Sequence, residues 1–157
     1  MSGAVGVEDA TARTEPGVSY AVARLHQRLF AGITERVTPY DLTTLQFTTL
    51  SVLSRHGAPL STSQLARRAF MTPQSMSEVI HALERKGLIK RDPHPNHRRT
   101  LPATLTAKGR RVLAACEEAV SDFEDSMLVG FSEKDRGAFL EMVKVAVRNL
   151  GGGFPSD

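Results

Sequence analysis

Apolar residues recur every three or four positions along most of this chain, and that spacing gives way to another pattern between Leu88 and Leu105. This one interruption limits the fold more than any other feature. It predicts helices on both sides of a short β-hairpin, the order helix–helix–helix–helix–hairpin–helix–helix. Val18, Val22, Leu25, Leu29 and Ile33 form the first stripe, which stops near Pro39. Leu42, Leu45, Leu50 and Leu53 mark a second helix with Asp41 as its expected cap, ended by His56-Gly57-Ala58-Pro59. Ser61 and Gln64 have capping-box spacing ahead of a short third helix carrying Leu65, Ala66 and Ala69. Thr72 and Pro73 open a fourth helix whose apolar face is Met76, Val79, Ile80 and Leu83, and Gly87 closes it.

The interruption reads as two strands. Leu88 to Arg91 forms one, Asp92-Pro93-His94-Pro95-Asn96 is a stretch of turn formers, and Arg99, Leu101, Ala103 and Leu105 alternate on the way back. Pro102 predicts an edge position for the returning strand. Thr106 caps a long fifth helix with Val112, Ala115, Cys116, Ala119, Phe123 and Met127 on its face. Gly130 ends that helix. Ser132 and Asp135 start a sixth, with Phe139, Val143, Ala146, Val147 and Leu150. Residues 1–16 and 151–157 read as flexible tails around one domain, 17–150.

Two short helices followed by a hairpin make a winged helix-turn-helix, and the charge distribution supports that assignment. The net charge is only +3, but residues 61–111 hold eleven Lys and Arg against three Asp and Glu, a local +8. The remainder sums to −5. A basic middle between acidic flanks predicts one face that meets a polyanion. Opposite the apolar stripe of the fourth helix lie Gln74, Ser77, Glu78, His81 and Arg85. Gln suits adenine, Arg suits guanine and Ser suits either. On the hairpin, Arg98 and Arg99 form an arm suited to a narrow, electronegative minor groove.

Other classes find less support. No apolar run approaches the ~20 residues of a membrane span, and no secretory signal is visible. The single Cys116 excludes an internal disulfide and a cysteine-rich zinc site, and the chain reads as cytoplasmic. Beside Glu117 and Glu118 on an apolar stripe, Cys116 is expected to be buried and structural. His94 and His97 lack the further ligands that a metal site needs, and neither metal nor cofactor is expected. No Gly-rich phosphate loop, G-x-S-x-G or H-E-x-x-H pattern suggests an enzyme.

The run Leu42-Thr43-Thr44-Leu45-Gln46-Phe47 through Leu50 and Leu53 resembles the second helix of the MarR family of transcription regulators. Thr72-Pro73-Gln74-Ser75-Met76-Ser77 and Leu83-Glu84-Arg85-Lys86-Gly87-Leu88-Ile89 resemble that family's recognition helix and the start of its wing. Arg91, Arg99 and Leu105-Thr106-Ala107-Lys108-Gly109 match its wing signature. The resemblance covers residues 18–150. It implies a mainly α winged helix-turn-helix dimer of six helices and a hairpin wing, with 41–106 as the DNA-binding lobe and 17–40 and 107–150 as dimerisation helices. It also implies a palindromic double-stranded DNA operator, repression, and release by a small, often aromatic effector. Apart from the resemblance, the apolar stripes of the first and sixth helices exceed what a winged helix needs, which also favours a homodimer.

Expected DNA contacts are Thr62, Ser63, Gln74, Ser75, Ser77, His81, Arg85, Arg98 and Arg99. Arg99 falls at the family's wing arginine. The family's acidic partner for it is replaced by His97, which removes a charge-assisted bond and leaves Arg99 either less pre-organised or held by Asp92. The resemblance places the effector between the two lobes, where Arg24, His26, Phe30 and Phe47 are candidates. A winged helix used for protein–protein assembly and a metal-responsive regulator using His94 or His97 are the alternatives.

Overall fold

The computed structural model describes residues 15–93 and 101–153. Among these are six α-helices and one antiparallel hairpin: α1 (Val18–Val37), α2 (Thr44–His56), α3 (Thr62–Arg68), α4 (Pro73–Arg85), β1 (Ile89–Arg91), β2 (Ala103–Leu105), α5 (Ala107–Met127) and α6 (Glu133–Asn149). None of these helices is long and apolar enough to cross a membrane. The hairpin tip with His94, His97, Arg98 and Arg99 lies outside the described residues, as do most of the two expected tails.

Caps were the most local signals, and most of them hold. Ser61 and Gln64 form a reciprocal box at α3, with bonds of 3.3 and 2.9 Å. Ser132 and Asp135 do the same at α6, and Thr72 and Thr106 cap α4 and α5. The start of α2 corrects the sequence reading. A 3-10 turn over Thr38–Tyr40 continues from α1 and leaves Asp41 left-handed at φ 57°. The chain therefore enters α2 two residues later. Thr43 is the cap, in a box with Gln46 whose bonds are both 3.2 Å.

The hairpin pairs Ile89 with Leu105, Lys90 with Thr104 and Arg91 with Ala103. The returning strand is shorter than predicted, and it is not an edge at Ala103. The Leu60 and Ala103 backbones exchange bonds of 2.8 and 3.2 Å on its other side. Pro102 precedes the strand, so its missing N–H is not needed in the ladder.

The core lies inside this lobe. Leu50 and Leu53 from α2, Leu65 from α3, Met76, Ile80 and Leu83 from α4, and Leu60, Leu88, Ile89 and Ala103 around the wing are buried together. The first half of α5 adds Leu113, Cys116 and Val120. This buried stripe departs from the predicted one because α5 serves two neighbours. Leu113, Cys116 and Val120 face the lobe, whereas the Phe123 ring lies over α1, against Gly32 and 4.1 Å from the Arg36 guanidinium. No residue of α6 is buried, and Leu140, Met142, Val143, Val145 and Leu150 are exposed, as are Val18, Tyr20 and Val22 at the start of α1.

Candidate nucleic-acid interface

Helix α4 has one buried stripe, Met76, Ile80 and Leu83, so its opposite face must point to solvent. Gln74, Ser75, Glu78, His81 and Arg85 are exposed there and Ser77 is half-buried. Thr72 fixes the first turn. Its hydroxyl accepts from the Ser75 N–H at 3.1 Å and donates to the Ser75 hydroxyl at 2.9 Å. Ser75 is thereby oriented with its own proton free for an acceptor. Pro73 at the first position has no N–H to lose. In α3, Ser63 is exposed and Thr62 half-buried. Helices α3 and α4 pack on each other, so the expected contacts of both belong to one lobe.

The basic band is not uniformly available to a polyanion. Lys86 turns inward. Its ammonium bonds the Asp41 carbonyl, lies 3.2 Å from the Asp41 carboxylate and 3.1 Å from the Gln46 amide oxygen. This ties the end of α4 to the start of α2. Arg91 grips Glu84 with bonds of 2.7 and 3.1 Å, joining β1 to the last turn of α4. That guanidinium holds the Glu84 carboxyl below the usual carboxylate range. Lys90 pairs with Asp92 at 2.7 Å, so Asp92 already has a cation. Lys108 donates to the Lys86 carbonyl at 2.9 Å and Arg110 to the Leu105 carbonyl at 3.1 Å. Arg67, Arg85 and Arg111 are exposed and form no ion pair with a described residue. Arg67, on the last turn of α3, joins the candidate contacts on this evidence. In the sequence it was visible only as charge, because a seven-residue helix shows too little periodicity to assign its face.

The effector candidates are dispersed. Arg24, His26 and Phe30 are exposed on α1, with the His26 and Phe30 rings 6.2 Å apart, and Phe47 is half-buried against the lobe core. A cavity of about 290 Å³ at the seam of α2 and β2 is lined by Leu53, Ser54, Pro59, Leu105 and Arg110. Two more lie against α6, one of about 490 Å³ beside Phe131, Phe139 and Met142 and one of about 560 Å³ between α5 and α6 beside Met127, Leu140 and Val143. None of these three contains Arg24, His26, Phe30 or Phe47. Among the described residues no three His, Cys, Asp or Glu gather as a metal site requires.

Cys116 is fully buried, and that burial, with Glu117 adding to it, pushes the thiol up to about 11. A disulfide reagent at pH 8 is expected to label it roughly a hundredfold more slowly in the native chain than in the denatured one, following the thiolate fraction. Equal rates would mean that the thiol is reachable and reactive.

The MarR family model matches residues 40–100. The HTH-type transcriptional repressor Rv2887 of Mycobacterium tuberculosis is 32% identical over 127 residues, which is 81% of this chain and 91% of the repressor. Two solved structures have the same fold over nearly their whole length. The repressor CouR bound to a 23-mer DNA duplex matches with a TM-score of 0.75 and 28% identity, covering 83% of this chain and 92% of CouR. Rv2887 in complex with salicylic acid matches with a TM-score of 0.67 and 31% identity, covering 84% and 97%. A winged helix whose recognition helix presents a polar face, in a chain this similar to Rv2887 over most of both lengths, belongs to the MarR family of transcriptional regulators.

Proposed function

We propose that this protein is a homodimeric, ligand-responsive repressor that binds a palindromic double-stranded DNA operator in the cytoplasm and catalyses no reaction. The observation that carries the reading is the outward face of α4, polar and largely exposed on a helix held by its cap and by a buried stripe. Gln74, Ser75, Ser77, His81 and Arg85 read the major groove, and Thr62 and Ser63 contact the backbone. Arg98 and Arg99 carry the wing to the minor groove. Residues 41–106 are the DNA-binding lobe.

Residues 17–40 and 107–150 dimerise. The exposed stripes of α1 and α6 are too extensive for a lone monomer surface, and a twofold axis covers them. That axis sets the two copies of α4 roughly 34–36 Å apart, one DNA turn. The likeness to Rv2887, solved with salicylic acid, supports a small aromatic acid as effector. Such a ligand releases DNA only through unequal binding to two forms of the dimer, about 1.4 kcal/mol for each tenfold change in affinity.

The test is a gel shift on DNA upstream of the protein's own gene, at two salt concentrations, with and without salicylate. Binding that weakens steeply with salt and is relieved by the acid is the expected result. Salt-insensitive retention, or none at any salt, refutes the reading. Sedimentation at micromolar concentration is expected to give a dimer, and a monomer there removes the twofold geometry.

A further inference from the structure

The turn between α3 and α4 carries a residue that neither backbone nor core accounts for. Helix α3 ends in two nested bonds, from the Phe70 N–H to the Arg67 carbonyl at 3.4 Å and from the Met71 N–H to the Ala66 carbonyl at 2.8 Å. This is a Schellman ending, which requires a left-handed residue just past the cap, a place where glycine is the usual occupant. Here it is Phe70, at φ 54°. Left-handed backbone is unfavourable for any residue with a Cβ, and a bulky one there is a genuine outlier. Burial in the fold recovers little of that cost, since Phe70 is 75% exposed among the described residues. A position that disfavours phenylalanine in the free chain, and leaves its ring in water, points to a partner that covers it.

The surroundings indicate the partner's chemistry. The ring lies two residues before Thr72, which caps the first turn of α4, and that turn exposes Gln74 and Ser75. Three residues earlier stands Arg67, exposed and without an ion pair to a described residue. An apolar ring between a cation and a helix entry suits a surface that is anionic on its ridges and apolar between them. Duplex DNA is such a surface, with phosphates flanking deoxyribose rings and thymine methyl groups.

We propose that Phe70 is an operator-contact residue whose ring packs on the sugar and thymine-methyl edge of the duplex where α4 enters the groove. The proposal rests on the DNA-binding reading above. Its signature is an opposition between stability and binding. Phe70→Gly relieves the left-handed backbone, so the Tm stays equal or rises. The same substitution lowers operator affinity at least about tenfold, the order expected for uncovering one aromatic ring. The slope of affinity against salt is unchanged, because the ring neutralises no phosphate. Phe70→Tyr keeps the ring and holds affinity within about twofold of the wild type on the same scale.

Anisotropy titrations on the upstream DNA, with thermal melts and sedimentation of the same samples, test this. A Gly variant that binds as tightly as the wild type overturns the proposal, and so does one whose Tm falls, since the ring is then structural. A wild-type assembly larger than a dimer that Phe70→Gly dissolves also overturns it, because the ring is then covered by a second copy. Wild-type protein that binds no DNA refutes the underlying reading itself, a result distinct from wild-type binding that the Gly variant retains.

Discussion

Gly109→Ala is expected to destabilise the chain by about 3 kcal/mol and lower its Tm by roughly 10 °C, the upper end of what overpacking costs. Helix propensity alone predicts the opposite sign, because alanine is the better helix former. The geometry decides it. A Cβ on Gly109 would lie 1.9 Å from the Leu88 carbonyl oxygen and 2.9 Å from its carbon, and backbone there cannot rotate away. The same carbonyl accepts the Thr106 N–H at 3.0 Å, and the Thr106 hydroxyl donates to the Gly87 carbonyl at 2.7 Å. Making room for one methyl group separates α5 from the chain leaving α4 and strains all of these bonds together. Since β1 begins at Ile89, the wing shifts with them. Urea and thermal unfolding by circular dichroism measure the loss. A change in Tm of under about 2 °C would mean that the seam yields easily and that the close approach is incidental.

Gly109 also shows where sequence reading stops. The Leu105-Thr106-Ala107-Lys108-Gly109 run was visible as part of a family resemblance, and Thr106 as a cap, because capping is a matter of three or four adjacent residues. The reason for the glycine is the Leu88 backbone, twenty-one residues away in sequence, which no local pattern encodes. The bond between Leu60 and Ala103 was hidden for the same reason, so Pro102 suggested an edge strand where the structure has pairing on both sides. Fold class and helix order were legible because the hydrophobic period changes once, at the wing. The displaced stripe of α5 was not, since a helix packed between two neighbours has a broader apolar surface than one period can describe.

Charge was the most misleading of the legible features. Counting gave +8 over residues 61–111 and treated every cation alike. The fold sorts them. Lys86, Lys90 and Arg91 are held by Asp41, Asp92 and Glu84, of which Asp41 lies outside the counted segment. The cations without a described ion-pair partner are therefore fewer than the count implies. On α4 and the end of α3, Arg67 and Arg85 are exposed and form no ion pair with a described residue.

Neighbouring residues Arg85 and Lys86 make this distinction measurable. Both are cationic, and by composition either is an equal candidate for a phosphate or a base. Arg85→Ala removes an exposed charge with no described ion-pair partner from the outward side of α4. Operator affinity is expected to fall by about 1–3 kcal/mol, roughly fivefold to 150-fold, and discrimination at one operator base pair to relax, because the guanidinium reads a base. Its Tm is expected not to move, since that side chain forms no ion pair with a described residue. Lys86→Ala removes a charge that faces Asp41 and Gln46, with 28% of the lysine side chain and 88% of the aspartate side chain exposed. Solvent screening at the aspartate limits the loss to about 1 kcal/mol of stability. DNA affinity falls too, because the end of α4 loses its tie to the start of α2, yet the salt slope stays at the wild-type value. Relaxed discrimination at one base pair therefore separates a residue that reads DNA from one that positions the helix that does. A reduced slope for Lys86→Ala would mean that the ammonium leaves Asp41 for a phosphate when DNA binds. The contact between α4 and α2 would then be broken by DNA, not preserved under it.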